Sequence, residues 1–112
     1  MKGEILKGHL DLLLLSVVQA GVDHGYAIAE ELRRASTGAF DLPEGTIYPA
    51  LHRLEAGGFL ESRWQPVAGR PRRVYNLSPL GRAELARQRE LWERFVAGVN
   101  AVIGRAACGD TA

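Results

Sequence analysis

A chain of 112 residues, 46% hydrophobic and 24% charged, has room for one compact domain, and its composition excludes the disordered and collagen-like classes. A formal net charge of +1 is too balanced to indicate a polyanionic partner by itself. A single cysteine, Cys108, excludes an internal disulfide framework and any multi-cysteine zinc or iron–sulfur site within one chain, which suits a reducing cytosol.

Positive charge is concentrated in one segment. From Ser62 to Ala83 there are Arg63, Arg70, Arg72, Arg73 and Arg82 and no acidic residue, whereas Asp23 to Glu61 carries a surplus of acids. Lys2 and Lys7 ahead of an apolar run mimic an export signal, but Glu4 and Asp11 put acids before and inside it. The uncharged stretch Leu12 to Val22 is well short of the roughly 20 residues that cross a bilayer, so a buried helix is expected and no membrane partner.

The first helix is predicted over Gly8 to Ala20. Leu10, Leu13, Leu14, Val17 and Val18 follow helical spacing, and Leu12 and Leu15 widen the apolar surface until more than one neighbour must cover it. A second helix opens at His24-Gly25-Tyr26, continues through Ile28 and Leu32, and ends at Thr37-Gly38. Phe40, Asp41 and Leu42 alternate as a minimal strand. A third helix starts near Glu44 to Thr46, with Pro49 in its first turn, a buried face of Ile47, Ala50, Leu51 and Leu54, and Gly57-Gly58 as its end. Two short helices joined by a tight turn give a helix-turn-helix outline.

A hairpin follows, in which Leu60, Ser62 and Trp64 alternate with polar residues, Pro66 to Pro71 form the turn, and Arg73, Tyr75 and Leu77 form the return strand. Ser78 as N-cap and Pro79 at the first helical position open a last helix predicted over 79–105, with 106–112 a flexible tail. The expected fold class is mainly α with a small β-hairpin: a winged helix-turn-helix over 1–78 plus a C-terminal dimerisation helix. That helix carries Leu85, Gln88, Trp92, Phe95, Val99, Val102 and Ala106 at steps of three and four, broadened by Leu91, Val96 and Ile103. One small domain cannot cover so long a stripe, so a second copy is expected to pack there, with Leu10, Leu14, Leu85, Trp92, Phe95, Val99 and Val102 at the interface.

Three stretches carry a resemblance to a family. They are His24-Gly25-Tyr26-Ala27-Ile28; Gly45-Thr46-Ile47-Tyr48-Pro49-Ala50-Leu51-His52-Arg53-Leu54-Glu55, followed by Gly58-Phe59-Leu60; and Gly69-Arg70-Pro71-Arg72-Arg73-Val74-Tyr75 before Leu77-Ser78. The chain resembles the PadR-like transcriptional regulators from about Gly8 to Ile103, with Ser36 to Leu42 and Pro66 to Gly69 as the variable places. The resemblance implies the smaller of that family's two types, a cytoplasmic dimeric bacterial repressor of double-stranded DNA with an inverted-repeat operator. It further implies release by a small-molecule effector that shifts the angle between the two DNA-binding heads. Members that hold planar drugs between paired tryptophans at the dimer centre suggest a planar aromatic effector stacking on Trp92.

Residue chemistry points the same way. With its apolar face inward, the third helix presents Thr46, Tyr48, Pro49, His52 and Arg53, groups suited to base edges or phosphates in the major groove. Arg70, Arg72 and Arg73 surround Gly69 and Pro71, a stiff turn with three guanidinium groups and no adjacent acid, which suits phosphate or minor-groove binding. Trp64 and Tyr75 read as hairpin packing and Tyr26 as a core or turn residue. Catalysis has no footing: His9, His24 and His52 are scattered without metal-ligand spacing, and no phosphate loop is present, so neither enzyme activity, a metal nor a cofactor is expected. A protein-interaction winged helix that never touches DNA and a ligand or metal sensor are the competing readings.

Overall fold

The structure, a computed structural model, describes residues 8–108. The N-terminal Lys2, Glu4 and Lys7 and the expected tail residues 109–112 lie outside the described residues. The elements are α1 (Leu10–Gln19), α2 (Gly25–Ala35), α3 (Glu44–Ala56), β1 (Leu60–Val67), β2 (Arg70–Leu77) and α4 (Pro79–Cys108). This is the winged helix-turn-helix with a long C-terminal helix; α4 continues to Cys108, past the boundary expected at 105.

α1 is the centre of the head because leucines and valines cover most of its circumference. Leu14, Leu15 and Val18 are buried, Leu10, Leu12, Leu13 and Val17 lie half-buried beside them, and the helix contacts α2, α3, β2 and α4. Ile28 and Leu32 of α2, Ile47, Leu51 and Leu54 of α3, Leu60 and Leu77 of the hairpin, and Leu85 of α4 close the same core. Burial of each such side chain contributes about 1.5–3 kcal/mol. Leu14 at 0% exposure and Leu85 at 1% are therefore filled by their own chain, which corrects their expected place in a dimer interface; Leu10 is only half-buried.

Three local expectations change. Phe40 to Leu42 form no strand: among the described residues no strand pairs with them, the Phe40 N–H bonds the Ser36 hydroxyl at 2.8 Å, and the Phe40 and Leu42 side chains pack on the core. The hairpin turn is also shorter than Pro66–Pro71. The strands pair antiparallel from Leu60↔Leu77 through Pro66↔Pro71 to Val67↔Arg70, leaving only Ala68 and Gly69 at φ of 53° and 81°. Two left-handed residues are what a tight hairpin turn requires, and in a two-stranded ribbon each proline can turn its missing donor to the open edge. Finally, Tyr26 is 61% exposed and belongs to neither core nor turn.

The start of α4 is tied to the end of α3. The Ser78 hydroxyl accepts from the Gly81 N–H at 2.9 Å and donates to the Gly58 carbonyl at 2.5 Å, while the Ser78 N–H bonds the Phe59 carbonyl at 3.1 Å. One serine thus caps the last helix and anchors it to the turn before the wing. Beyond Leu85 the helix still runs beside α1, with Arg89 donating to Gln19 at 3.4 Å and the Trp92 ring 5.0 Å from His9.

Candidate nucleic-acid interface

α3 begins after Pro43, whose carbonyl accepts from the N–H groups of Thr46 and Ile47 at 2.9 and 3.2 Å. Glu44, Gly45, Thr46, Pro49 and His52 are exposed along its outer face, opposite Ile47, Ala50, Leu51 and Leu54. Pro49 sits in the second turn, not the first. It has no N–H to offer the Gly45 carbonyl, and that carbonyl is on the open face where water or a ligand can reach it.

Tyr48 is seated against the first turn of α2. Its ring lies over Gly25 so closely that a β-carbon on Gly25 would come within 2.3 Å of Cε1 and 2.7 Å of the hydroxyl oxygen. The ring is 37% exposed, so one face is docked on the first turn of α2 and the rest is open. His24 caps that turn, its Nδ1 accepting from the Ala27 N–H at 3.4 Å. The Tyr75 N–H bonds the Asp23 carbonyl at 2.8 Å, tying the wing to the same turn. α2, α3 and the wing therefore meet in a cleft of about 490 Å³ lined by His24, Gly25, Tyr48, Arg70, Arg72 and Arg73 among others.

The arginines divide into two groups. Arg70 and Arg72 are exposed, and among the described residues no carboxylate pairs with them. Arg73 donates to Glu55 of α3 at 3.3 Å and lies 5.0 Å over the Trp64 ring. The same Glu55 carboxylate accepts from the Ser62 hydroxyl at 2.5 Å. The Ser62 hydrogen bond first, and then the Arg73 charge, hold Glu55 below the ordinary carboxylate range. Trp64, though 61% exposed, packs across the hairpin beneath its strand partner Arg73, and Tyr75 is buried.

Arg53 is likewise engaged inside the chain. Its guanidinium binds Asp11 of α1 through two bonds of 2.7 and 3.0 Å, and that hydrogen bonding raises its pKa further. Of the residues expected to face DNA, Thr46, Tyr48, Pro49, His52, Arg70 and Arg72 remain open on one side, whereas Arg53 and Arg73 have acidic partners. Sequence reasoning missed Gly25, Asp11, Glu55 and Ser62. None of the four carried a clear signal in the sequence: the close approach of Tyr48 to Gly25 and the long-range partners of Asp11, Glu55 and Ser62 depend on the fold.

A second feature lies between α1 and α4. His9, Asp11, Leu12, Leu91, Trp92 and Phe95 border a cavity of about 380 Å³, with the Trp92 ring 5.0 Å from His9 edge-on and 5.9 Å from Phe95. Phe95 at 59%, Val102 at 70% and Ile103 at 58% exposure continue an uncovered apolar stripe along α4, with Val99 half-buried between them. Among the described residues no three histidine, cysteine or carboxylate side chains gather as a metal site, and no helix is long and apolar enough to cross a membrane.

Comparison with known proteins follows this geometry. A family model described as "Transcriptional regulator PadR-like family" matches residues 14–87. Transcriptional regulator Rv3488 of Mycobacterium tuberculosis is 44% identical over 72 residues; the match spans 64% of this chain and 64% of that protein, just under two thirds of its length. A transcriptional regulator from Clostridium thermocellum superposes with a TM-score of 0.80 at 26% identity, over 90% of this chain and 96% of the other. Bacillus subtilis PadR, solved in complex with operator DNA, shares the fold at a TM-score of 0.65 and 24% identity, over 70% of this chain and 44% of that one.

Proposed function

The chain belongs to the PadR-like family of transcriptional regulators, and from that premise we propose that it is a cytoplasmic homodimeric repressor that binds an inverted-repeat operator. In this reading residues 1–78 form the DNA-binding head and α4 the dimerisation helix. α3 enters the major groove with Thr46, Tyr48, Pro49 and His52, while Arg70 and Arg72 hold phosphates or the narrow groove alongside. Support comes above all from one observation: Tyr48 of α3 and two exposed arginines without acidic partners, Arg70 and Arg72, border the same cleft.

Dimerisation through α4 is supported by the uncovered stripe at Phe95, Val102 and Ile103. Two-fold symmetry then sets half-sites about one helical turn, or a multiple of it, apart. The cavity beside Trp92 suits a planar aromatic effector, since Trp92, Phe95, Leu12 and Leu91 line it together with the polar His9, Asp11, Arg87 and Gln88. Asp11 also binds Arg53 of α3, so an occupant that disturbs α1 has a direct route to the reading helix.

Footprinting on the DNA upstream of the chain's own gene tests the reading. Two protected half-sites related by inversion are expected; protection of one asymmetric half-site refutes the dimeric mode, and absence of protection above random sequence refutes the operator.

A further inference from the structure

The wing arginines are not electrically equivalent. Arg70, Arg72 and Arg73 all line the cleft beside Tyr48, yet Arg73 has a carboxylate behind it and the other two do not. The strand register explains the difference. Trp64 pairs with Arg73 and Ser62 with Tyr75, so Arg73 shares the ribbon face that looks toward α3, where Glu55 ends the helix. Arg72 pairs with Gln65 and Arg70 with Val67, which sets both on the opposite face, away from Glu55.

We propose that Glu55 is a specificity-determining residue of the DNA-binding surface, an internal carboxylate that neutralises Arg73 and so withholds one cation from the phosphate backbone. The proposal rests on the DNA-binding reading above and deepens it. Phosphate contacts strengthen binding to every sequence alike, whereas base contacts discriminate; a cation cancelled within the protein lowers the first contribution and leaves the second. Glu55 is suited to this because it is held from two sides. Ser62 donates to the same oxygen that receives Arg73, at 2.5 and 3.3 Å, and the Trp64 ring under the guanidinium keeps Arg73 from swinging away. In a chain with two lysines and twelve arginines, retaining discrimination means limiting how many guanidinium groups reach phosphate.

The test is a salt titration of affinity for a random-sequence duplex, which needs no knowledge of the operator. Glu55→Gln is the clean variant, since glutamine preserves shape and still accepts from Ser62 and Arg73 while removing the charge. The expected result is tighter binding at low salt and a log–log salt slope steeper by about 0.9, the value for one added phosphate contact. Adding Arg73→Ala to that variant should abolish the gain. A merely structural role for Glu55 predicts the opposite sign, weaker binding with an unchanged or shallower slope, and that result overturns the proposal. Arg73→Ala in the wild-type background provides a measurement that does not depend on Glu55→Gln folding. It should lower the slope by much less than Arg72→Ala does, and an equal loss overturns the proposal. A wild-type protein that binds no duplex in a salt-dependent way removes the DNA-binding reading itself, an outcome distinct from normal binding with an unresponsive Glu55.

Discussion

Gly25→Ala separates folding from recognition. A β-carbon at Gly25 would lie 2.3 Å from Tyr48 Cε1 and 2.5 Å from Cζ, short of a ~3.5 Å carbon contact by about 1.2 Å. The atoms in the way belong to a ring that is 37% exposed, so Tyr48 can swing outward without moving α2. Stability then changes little: the gain from Ala over Gly in a helix, up to about 1 kcal/mol, offsets a comparable loss from undocking one ring face. In a chain of this size a net change within about 1 kcal/mol keeps Tm within roughly 6 °C of wild type. Recognition should suffer more. If Tyr48 contacts a base edge, its displacement costs about 1–3 kcal/mol, roughly 5- to 150-fold in operator affinity. Thermal unfolding and anisotropy titration on operator and scrambled duplexes read the two effects independently. Gly25→Ala should match Tyr48→Ala in binding. Operator affinity equal to wild type in Gly25→Ala, with Tyr48→Ala impaired, refutes the argument that Gly25 exists to seat this ring.

Replacing Arg70 or Arg72 by Ala should weaken binding to all duplexes similarly and lower the log–log salt slope by about 0.9 each, read by the same titration; an unchanged slope removes the wing from the phosphate contacts. Phe95→Glu places a charge in the exposed stripe of α4 and should convert a dimer to monomer in sedimentation while the head stays folded, because Phe95 lies outside the core. Planar aromatic compounds should quench tryptophan fluorescence in wild type and in Trp64→Phe but not in Trp92→Ala; quenching that survives loss of Trp92 leaves that residue as packing. Glu84 is held at about 2 against an ordinary 4.5 by hydrogen bonds from Arg87 and Gln88. Because its folded pKa is depressed, the carboxylate contributes stability above pH 4.5 and loses it as pH falls toward 2; Glu84→Gln should flatten that acid limb of Tm against pH.

The helices and the hairpin were legible because each is encoded by several residues repeating at one period. α1, α3 and α4 each carry four or more apolar residues in register, and a single exception cannot mask the pattern. Phe40 to Leu42 show the limit: three alternating residues fit a strand and equally an extended connection that turns two side chains inward, and only a partner strand decides. Leu14 and Leu85 show another. Periodicity marks which side of a helix is apolar, but whether that side meets its own chain or a second copy depends on how far the helix runs beside the head: Leu85 is buried in it, whereas Val102 and Ile103 are exposed.

The candidate site was legible in its residue types and opaque in its pairings. Arg53 and Asp11 are 42 positions apart and Arg73 and Glu55 are 18 apart, so no local pattern joins them. Yet those pairings decide the electrostatics of the surface. Counting arginines from Ser62 onward gives a uniformly cationic wing, whereas the folded chain returns an acid from α3 to one of them and an acid from α1 to Arg53 on α3. What DNA would meet is therefore a narrow cationic edge at Arg70 and Arg72 beside a mostly neutral helix face of Thr46, Tyr48, Pro49 and His52. Such a division lets affinity and discrimination be altered separately: a charge change on the wing acts on every sequence, and a change on α3 acts on one.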